Sequence, residues 1–155
     1  AHAVKLEGGK RVVPQIKKLI ESGIPVMGHL GLTPQSVHAL GGFKVQGRGD
    51  DAARIIEDAK ALEAAGVFAL VLELVPAELA EQITAELSIP VIGIGAGAKC
   101  DAQVLVWTDL MGITKNAPKL AKAYRNLRIE MLNAAKEYAN DVATGQFPGP
   151  EQTFH

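Results

Sequence analysis

Short runs of aliphatic residues alternate with amphipathic helical patterns along most of the chain. Five runs have the length and composition of buried strands, and they fall at residues 3–9, 24–34, 67–75, 89–97 and 102–110. Helical patterns fill the gaps and follow the last run, at 10–21, 50–66, 76–87 and about 118–144. Strands joined through helices pair in parallel, because a tight hairpin would reverse the chain direction. The order therefore predicts an α/β fold with a five-stranded parallel sheet.

Polar or glycine residues stand at the carboxyl end of every predicted strand, namely Glu7, His29, Glu73, Gly95 and Asp109. An open doubly wound sheet would instead place phosphate-binding glycines after its first strand. A (βα)₈ TIM barrel assembles its active site from all the strand ends on one face, so the pattern favours a barrel. A complete barrel needs about 200–250 residues. On this count the 155 residues form most of one barrel domain and lack about three strands. Because the sequence opens almost at once in a strand-like run, we expect the missing strands to be the first three, which makes residues 1–155 the C-terminal part of the domain.

Composition excludes several classes of partner. The chain carries 16 basic and 17 acidic residues, and 5% of its residues are aromatic. A balanced charge with few aromatics disfavours binding to nucleic acid or to an anionic membrane surface. No apolar run reaches the roughly 18 residues of a membrane span. A single cysteine, Cys100, rules out an intrachain disulfide and is typical of a cytoplasmic protein.

Glu73 interrupts the otherwise apolar stretch "FALVLELVP" at 68–76. Burying an unpaired carboxylate is unfavourable, so its presence in a strand needs a reason. One interpretation is a hydrated carboxylate, or one paired with a nearby lysine. The other is a partly desolvated carboxylate that acts as a general base. Its position at the strand end, just before Pro76, favours the general base.

Lys5 and Glu7 alternate with apolar residues, so both side chains point to one face of the first strand. They form either an ordinary ion pair or a substrate-binding cation beside an acidic residue near a metal. His29 ends the second strand and is interpreted as either a hydrogen-bonded structural residue or a catalytic one. The histidines show no metal-binding spacing.

The glycine-rich run "GIGAG" at 93–97 has two interpretations. Exposed backbone N–H groups could bind a phosphate. The run is not GxGxxG and follows a late strand, so its glycines could instead clear space above a substrate.

Seven motifs together point to a known family: "VKLEGG", "GHLGLTPQSV", "GGFKVQGRG", "ALEAAG", "LVLELVP", "IPVIGIGAG" and "FPGPEQTFH". They span nearly the whole chain and strongly resemble the ketopantoate hydroxymethyltransferase family. The long block formed by "GHLGLTPQSV" and "GGFKVQGRG" separates that family from other barrels. The chain corresponds to the family's strands 4–8. It departs from the pattern at "WTDL", where many relatives carry a histidine before the aspartate.

The resemblance implies a one-carbon transferase of pantothenate biosynthesis that uses Mg²⁺ and 5,10-methylenetetrahydrofolate. It transfers a hydroxymethyl group to the keto acid 3-methyl-2-oxobutanoate through an enolate and assembles as a homo-oligomer, commonly a decamer. By the same resemblance, Glu73 is the proton acceptor, Lys5 contacts the substrate carboxylate, and Glu7 lies at the Mg²⁺ site. The family's two principal metal-binding aspartates belong to upstream strands that have no counterpart here.

Two alternatives remain open. The first is a related Mg²⁺-dependent barrel of the phosphoenolpyruvate mutase and isocitrate lyase type, which would act on another α-keto acid without needing methylenetetrahydrofolate. The second is a non-catalytic barrel fragment that is stable only with an N-terminal partner, because an incomplete barrel has open sheet edges.

Overall fold

The computed structural model describes residues 1–154. These residues form two compact units, one of residues 1–104 and one that begins at residue 105, and each unit is described by itself.

The first unit alternates strands and helices in the predicted order. Its strands are β1 (Val4–Glu7), β2 (Val26–Gly31), β3 (Ala69–Glu73), β4 (Val91–Ile94) and β5 (Ala102–Gln103). Its helices are α1 (Val13–Glu21), α2 (Asp51–Ala64) and α3 (Ala77–Glu86), and short 3₁₀ turns lie at Lys10–Val12 and Pro34–Ser36. α3 begins at Ala77, one residue after the predicted start, and Pro76 is its N-cap.

The five strands form one parallel sheet in the order β1-β2-β3-β4-β5. The prediction of an α/β fold with five parallel strands is confirmed. Each strand pairs with the next one along the chain, so the sheet advances in one direction without reversing. A doubly wound sheet reverses its strand order, whereas a barrel does not.

The two faces of this sheet have opposite characters. One face packs against the helices and forms a single apolar core, whose buried members include Val26, Leu30, Leu70, Leu72 and Val91 of the strands and Ile16, Ile55, Leu62, Leu79 and Ile83 of the helices. The residues that alternate with the strand members point to the other face. Lys5, Glu7, His29 and Glu73 all belong to this second set.

The predicted strand 102–110 is wrong beyond Gln103. β5 pairs with β4 at two positions, and the last backbone bond runs from Val104 N to the Gly93 carbonyl oxygen. β4 itself ends at Ile94, so the chain that follows has no ladder to continue. Val104 and Val106 are about half exposed, and the "WTDL" segment is a short helix instead.

The second unit contains α4 (Trp107–Leu110) and α5 (Leu127–Thr144). The predicted helix 118–144 is therefore wrong over its first nine residues. The N–H groups of Tyr124 and Leu127 donate to the carbonyl oxygens of Leu110 and Met111, which anchors this segment to the end of α4. Within residues 1–154, no helix is both long enough and apolar enough to cross a bilayer.

Gly31 ends β2 at a point where two backbones approach closely. Its φ is +90°, and a Cβ there would overlap the carbonyl oxygen of Glu73 and come within 2.8 Å of Val75 Cγ1. The next residue uses the same carbonyl, because Leu32 N donates to Glu73 O at 2.8 Å. Gly31 thus lets the end of β3 lie directly against β2.

Replacing Gly31 with alanine should destabilise the protein more than the same change at Gly23. Both glycines have positive φ, +90° and +82°, but a Cβ at Gly23 would have no atom of the described residues within 4 Å. Gly23→Ala should cost about 1–2 kcal/mol for the backbone conformation alone. Gly31→Ala should add about 1–3 kcal/mol for the overlap. Denaturant unfolding of both variants measures the difference, and equal losses would contradict the close approach.

Candidate functional site

Four polar side chains gather at the carboxyl ends of the first three strands. The register pairs Glu7 with His29, and Lys5 lies one same-face step back along β1. Glu73 pairs with Gly31, so it stands one same-face step beyond His29 on the neighbouring strand. The structure therefore brings together Lys5, Glu7 and Glu73, the three site residues expected from the sequence, and places His29 between them.

Lys5 and Glu7 are close but not tightly paired. The Lys5 ammonium lies 3.6 Å from Glu7 Oε1, and the side chains are 42% and 11% exposed, respectively. Glu7 Oε2 accepts a hydrogen bond from the backbone N–H of Gln35 at 3.1 Å, which ties β1 to the turn after β2. The lysine thus keeps access to solvent, whereas the glutamate is largely covered and held in place.

His29 is the buried centre of the site, with only 3% of its surface exposed. Its Nδ1 lies 2.8 Å from Lys5 Nζ and 3.7 Å from Glu7 Oε1. Sequence reasoning left its role open because a lone histidine at a strand end has no distinctive pattern. The signal that identifies it is its pairing with Glu7 across the sheet.

The Glu73 carboxylate is turned into this cluster rather than into solvent. Its side chain is 16% exposed, and Oε2 lies 3.1 Å from His29 Nε2. The two atoms are close, yet they are not aligned for a hydrogen bond, and the buried His29 Nε2 has no hydrogen-bond partner among residues 1–154. The sequence had suggested a lysine or water as the ordinary partner of Glu73, and the structure places a histidine there. The carboxylate is thus largely desolvated.

The backbone immediately after Glu73 is strained. Leu74 has φ +48°, a left-handed conformation that non-glycine residues rarely adopt. Two hydrogen bonds hold it, from Leu74 N to the Ile94 carbonyl and from Gln46 N to the Leu74 carbonyl, both 2.9 Å. The apolar sequence of this segment gave no sign of the turn. Strain of this kind is often found beside functional side chains.

Glu7 can offer one ligand to a cation. Mg²⁺ is usually bound by one or two protein carboxylates, while water and substrate oxygens fill its other positions. A covered carboxylate oxygen beside the strand ends suits that role. Within residues 1–154 there is no group of three or more His, Cys, Asp or Glu side chains that could hold a metal ion. Glu7 thus fits a Mg²⁺ site as a single ligand. Residues 1–154 do not form a complete Mg²⁺ site by themselves.

Two other candidate features have structural explanations. Gly97 has φ +81°, and a Cβ there would lie 2.6 Å from the Cβ of Ala77, so this glycine allows the loop after β4 to pack on the start of α3. Asp109 is buried but lies in α4, not at a strand end. The expectation that Asp109 follows the fifth strand is wrong, because β5 ends at Gln103.

Cys100 has the properties of a structural thiol. It packs against the apolar core, and this burial raises the pKa of its thiol. A raised pKa lowers the fraction of reactive thiolate at neutral pH. The residue is therefore not suited to act as a nucleophile.

Comparison with known proteins identifies the family. Residues 1–150 match the family model for ketopantoate hydroxymethyltransferase. The chain belongs to the ketopantoate hydroxymethyltransferase family. A relative from Acidothermus cellulolyticus, named 3-methyl-2-oxobutanoate hydroxymethyltransferase, is 59% identical over 153 residues, covering 98% of this chain and 56% of that protein. A relative of the same name from Nocardioides sp. is 57% identical over 155 residues, covering 99% of this chain and 52% of that protein. The chain spans about half the length of the curated relatives it matches.

The strain at Leu74 predicts an inverted preference between alanine and glycine. Leu74→Gly should be more stable than Leu74→Ala by up to about 1 kcal/mol, because glycine adopts positive φ without a steric penalty. At Ala61, inside α2, glycine should instead cost about 1 kcal/mol relative to alanine. Thermal unfolding of Leu74→Ala, Leu74→Gly and Ala61→Gly tests both signs. An alanine variant at 74 that equals or exceeds the glycine variant would contradict the strained turn.

Proposed function

We propose that this chain carries the proton-abstracting part of a 3-methyl-2-oxobutanoate hydroxymethyltransferase active site. The reaction moves a hydroxymethyl group from 5,10-methylenetetrahydrofolate to 3-methyl-2-oxobutanoate and yields 2-dehydropantoate, an intermediate of pantothenate biosynthesis. The proposal rests on the family match over residues 1–150 and on one observation of the structure. A largely desolvated carboxylate, Glu73, faces the same cluster as Lys5 and Glu7.

We also propose that the five-stranded sheet is part of a single (βα)₈ barrel domain that includes residues 1–155. Support comes from the one-directional strand order and from the polar cluster on the face away from the helices. Upstream strands of the same barrel would close the sheet. Assembly as a homo-oligomer such as a decamer, and a cytoplasmic location, belong to this proposal and rest on family membership.

Lys5 would bind the carboxylate of the keto acid. An ammonium group has three N–H donors. One points to His29 Nδ1 at 2.8 Å, and the Glu7 carboxylate lies 3.6 Å away. The 42% exposure of the side chain leaves a donor available for an incoming anion. A charge-assisted hydrogen bond there would fix the orientation of the substrate.

Glu73 would remove the proton from C3 of the keto acid. Its carboxylate lies among apolar neighbours of the same face, with Ile94 beside it in the register and Val71 one step behind. Limited hydration keeps the carboxylate available as a base, and the apolar side chains suit a branched isopropyl group. The resulting carbon nucleophile would then attack the one-carbon unit of the folate.

Glu7 would contribute one oxygen to Mg²⁺, and the other ligands would come from substrate, water and upstream strands. When bound, Mg²⁺ supplies a Lewis acid that stabilises the negative charge developing on the keto oxygen. The hydrogen bond from Gln35 N holds the Glu7 side chain at the strand end for this role.

Replacing Glu73 with glutamine should abolish proton abstraction without abolishing binding. In the active protein containing these residues, exchange of the C3 hydrogen with D₂O should fall about 10²–10⁴-fold, as expected for loss of a general base. Mg²⁺-dependent binding of 3-methyl-2-oxobutanoate should persist, because the glutamine side chain has nearly the same shape. Proton NMR follows the exchange, and calorimetry follows binding.

Glu81→Gln is the matched control for this experiment, since Glu81 is a surface residue of α3 that lies 3.8 Å from Lys99. It should exchange at the unsubstituted rate. Full exchange in Glu73→Gln would remove Glu73 from the role of base.

Replacing Lys5 with alanine should mainly weaken binding of the keto acid. Loss of a hydrogen bond between charged groups costs about 1.5–3 kcal/mol, which is roughly a 10–100-fold rise in Kd. Lys17→Ala, an exposed position on α1, controls for the loss of one positive charge. Titration of both variants with 3-methyl-2-oxobutanoate gives the comparison. An unchanged affinity in Lys5→Ala would contradict the carboxylate contact.

A further inference from the structure

The His29 ring connects the substrate-binding lysine to the base. Nδ1 lies 2.8 Å from Lys5 Nζ, and Nε2 lies 3.1 Å from Glu73 Oε2. The ring is 3% exposed, so water does not compete for either nitrogen. Nδ1 therefore faces Lys5, with Glu7 Oε1 farther away at 3.7 Å, and Nε2 faces Glu73.

Lys5 determines which ring nitrogen carries the proton. An ammonium group only donates hydrogen bonds, so the His29 Nδ1 atom beside it must accept. The proton of the neutral ring then resides on Nε2. The Nε2–H group is a donor directed to the side of the site where Glu73 lies.

This donor has no hydrogen-bond partner in the described residues, although a carboxylate oxygen lies 3.1 Å away. A buried donor without a partner is costly, and buried polar groups nearly always find one. The nearby Glu73 Oε2 is a strong acceptor, and a rotation of its carboxylate would align the two groups. Catalytic hydrogen bonds are often misaligned in the ligand-free state and tighten when substrate binds.

We infer that His29 is a positioning residue for Glu73. Lys5 holds His29 as the Nε2–H tautomer, and Nε2–H donates to the Glu73 carboxylate in the working enzyme, which aims the base at the C3 hydrogen. The inference rests on the proposed function and adds a residue to it. His29 touches the base rather than the substrate, so its loss should slow proton abstraction and leave keto-acid binding nearly unchanged.

Two amide substitutions at His29 test the roles of its two ring nitrogens separately. The Asn side chain reproduces the position of Nδ1, whereas the Gln side chain extends to that of Nε2. His29→Asn can accept from Lys5 but lacks the donor facing Glu73, and His29→Gln supplies that donor. In the active protein, C3 exchange should fall about 10–100-fold in His29→Asn and should be substantially restored in His29→Gln. The KM for 3-methyl-2-oxobutanoate should change less than about threefold in both. His38→Gln, at an exposed loop position, is the control.

The outcomes distinguish this inference from the proposed function. If the unsubstituted protein exchanges the C3 hydrogen and the Asn and Gln variants lose this activity equally, the inferred role of His29 is overturned and the proposed function stands. A large rise in KM in both variants would also overturn it, by making His29 a substrate contact. Absence of exchange in the unsubstituted protein would overturn the proposed function and this inference with it.

A spectroscopic measurement covers the case in which the variants do not fold. The chain has four histidines, so the ¹⁵N resonances of His29 can be assigned by single substitution of the others. The unsubstituted protein should show the Nε2–H tautomer at His29. A predominant Nδ1–H tautomer would overturn the inference without reference to activity.

Discussion

The alternation of side chains across a parallel sheet is the constraint on which the rest of this structure depends. The same register that buries Leu70 and Leu72 against the helices turns Val71 and Glu73 to the opposite face. A slip of one residue in β3 would place the carboxylate in the apolar core and the leucines at the strand ends. The core therefore sets the position of Glu73, because any register that exposes the leucines is strongly unfavourable.

Backbone hydrogen bonds at the end of β3 then fix the conformation of the chain at and after Glu73, which the register alone does not determine. The Glu73 carbonyl accepts from Leu32 N, and the residue that follows is held in a left-handed turn by two further hydrogen bonds. Close approach at Gly31 makes the first of these contacts possible. Strain at Leu74 thus occurs in the same small region as His29 Nε2, which has no partner in the part of the chain that the structure describes. Such costs persist where surrounding structure enforces them, and they are concentrated at functional sites.

The spacing of apolar residues along the chain predicted those strands and helices whose formation depends mainly on their own sequence. Apolar runs and helical spacing placed β1 to β4 and α1 to α3, because each of these elements buries its own periodic face. The same reasoning failed at 102–110 and 118–126. A β-forming run such as "VLVW" becomes a strand only beside a partner, and β4 ends too early to provide one. At 118–126 the N–H of Tyr124 donates to the Leu110 carbonyl at the end of α4, a contact that no short sequence window contains.

The residues of the candidate site also differ in how far the sequence alone could indicate them. Glu73 stands out in the sequence because it is a carboxylate in an apolar strand, which is a local anomaly. Lys5 and Glu7 alternate with apolar residues in β1, a weaker signal, and the resemblance to the family is what indicates their roles. His29 is not anomalous in sequence, and its importance follows from lying opposite Glu7 in one direction and near Glu73 in the other. Lys5 and Glu73 consequently lie on opposite sides of one buried ring, 2.8 Å from Nδ1 and 3.1 Å from Nε2, respectively. In the proposed site, a substitution at Lys5 would remove a substrate contact and would also free the His29 ring to change tautomer, so effects on binding and on proton abstraction would have separate physical causes.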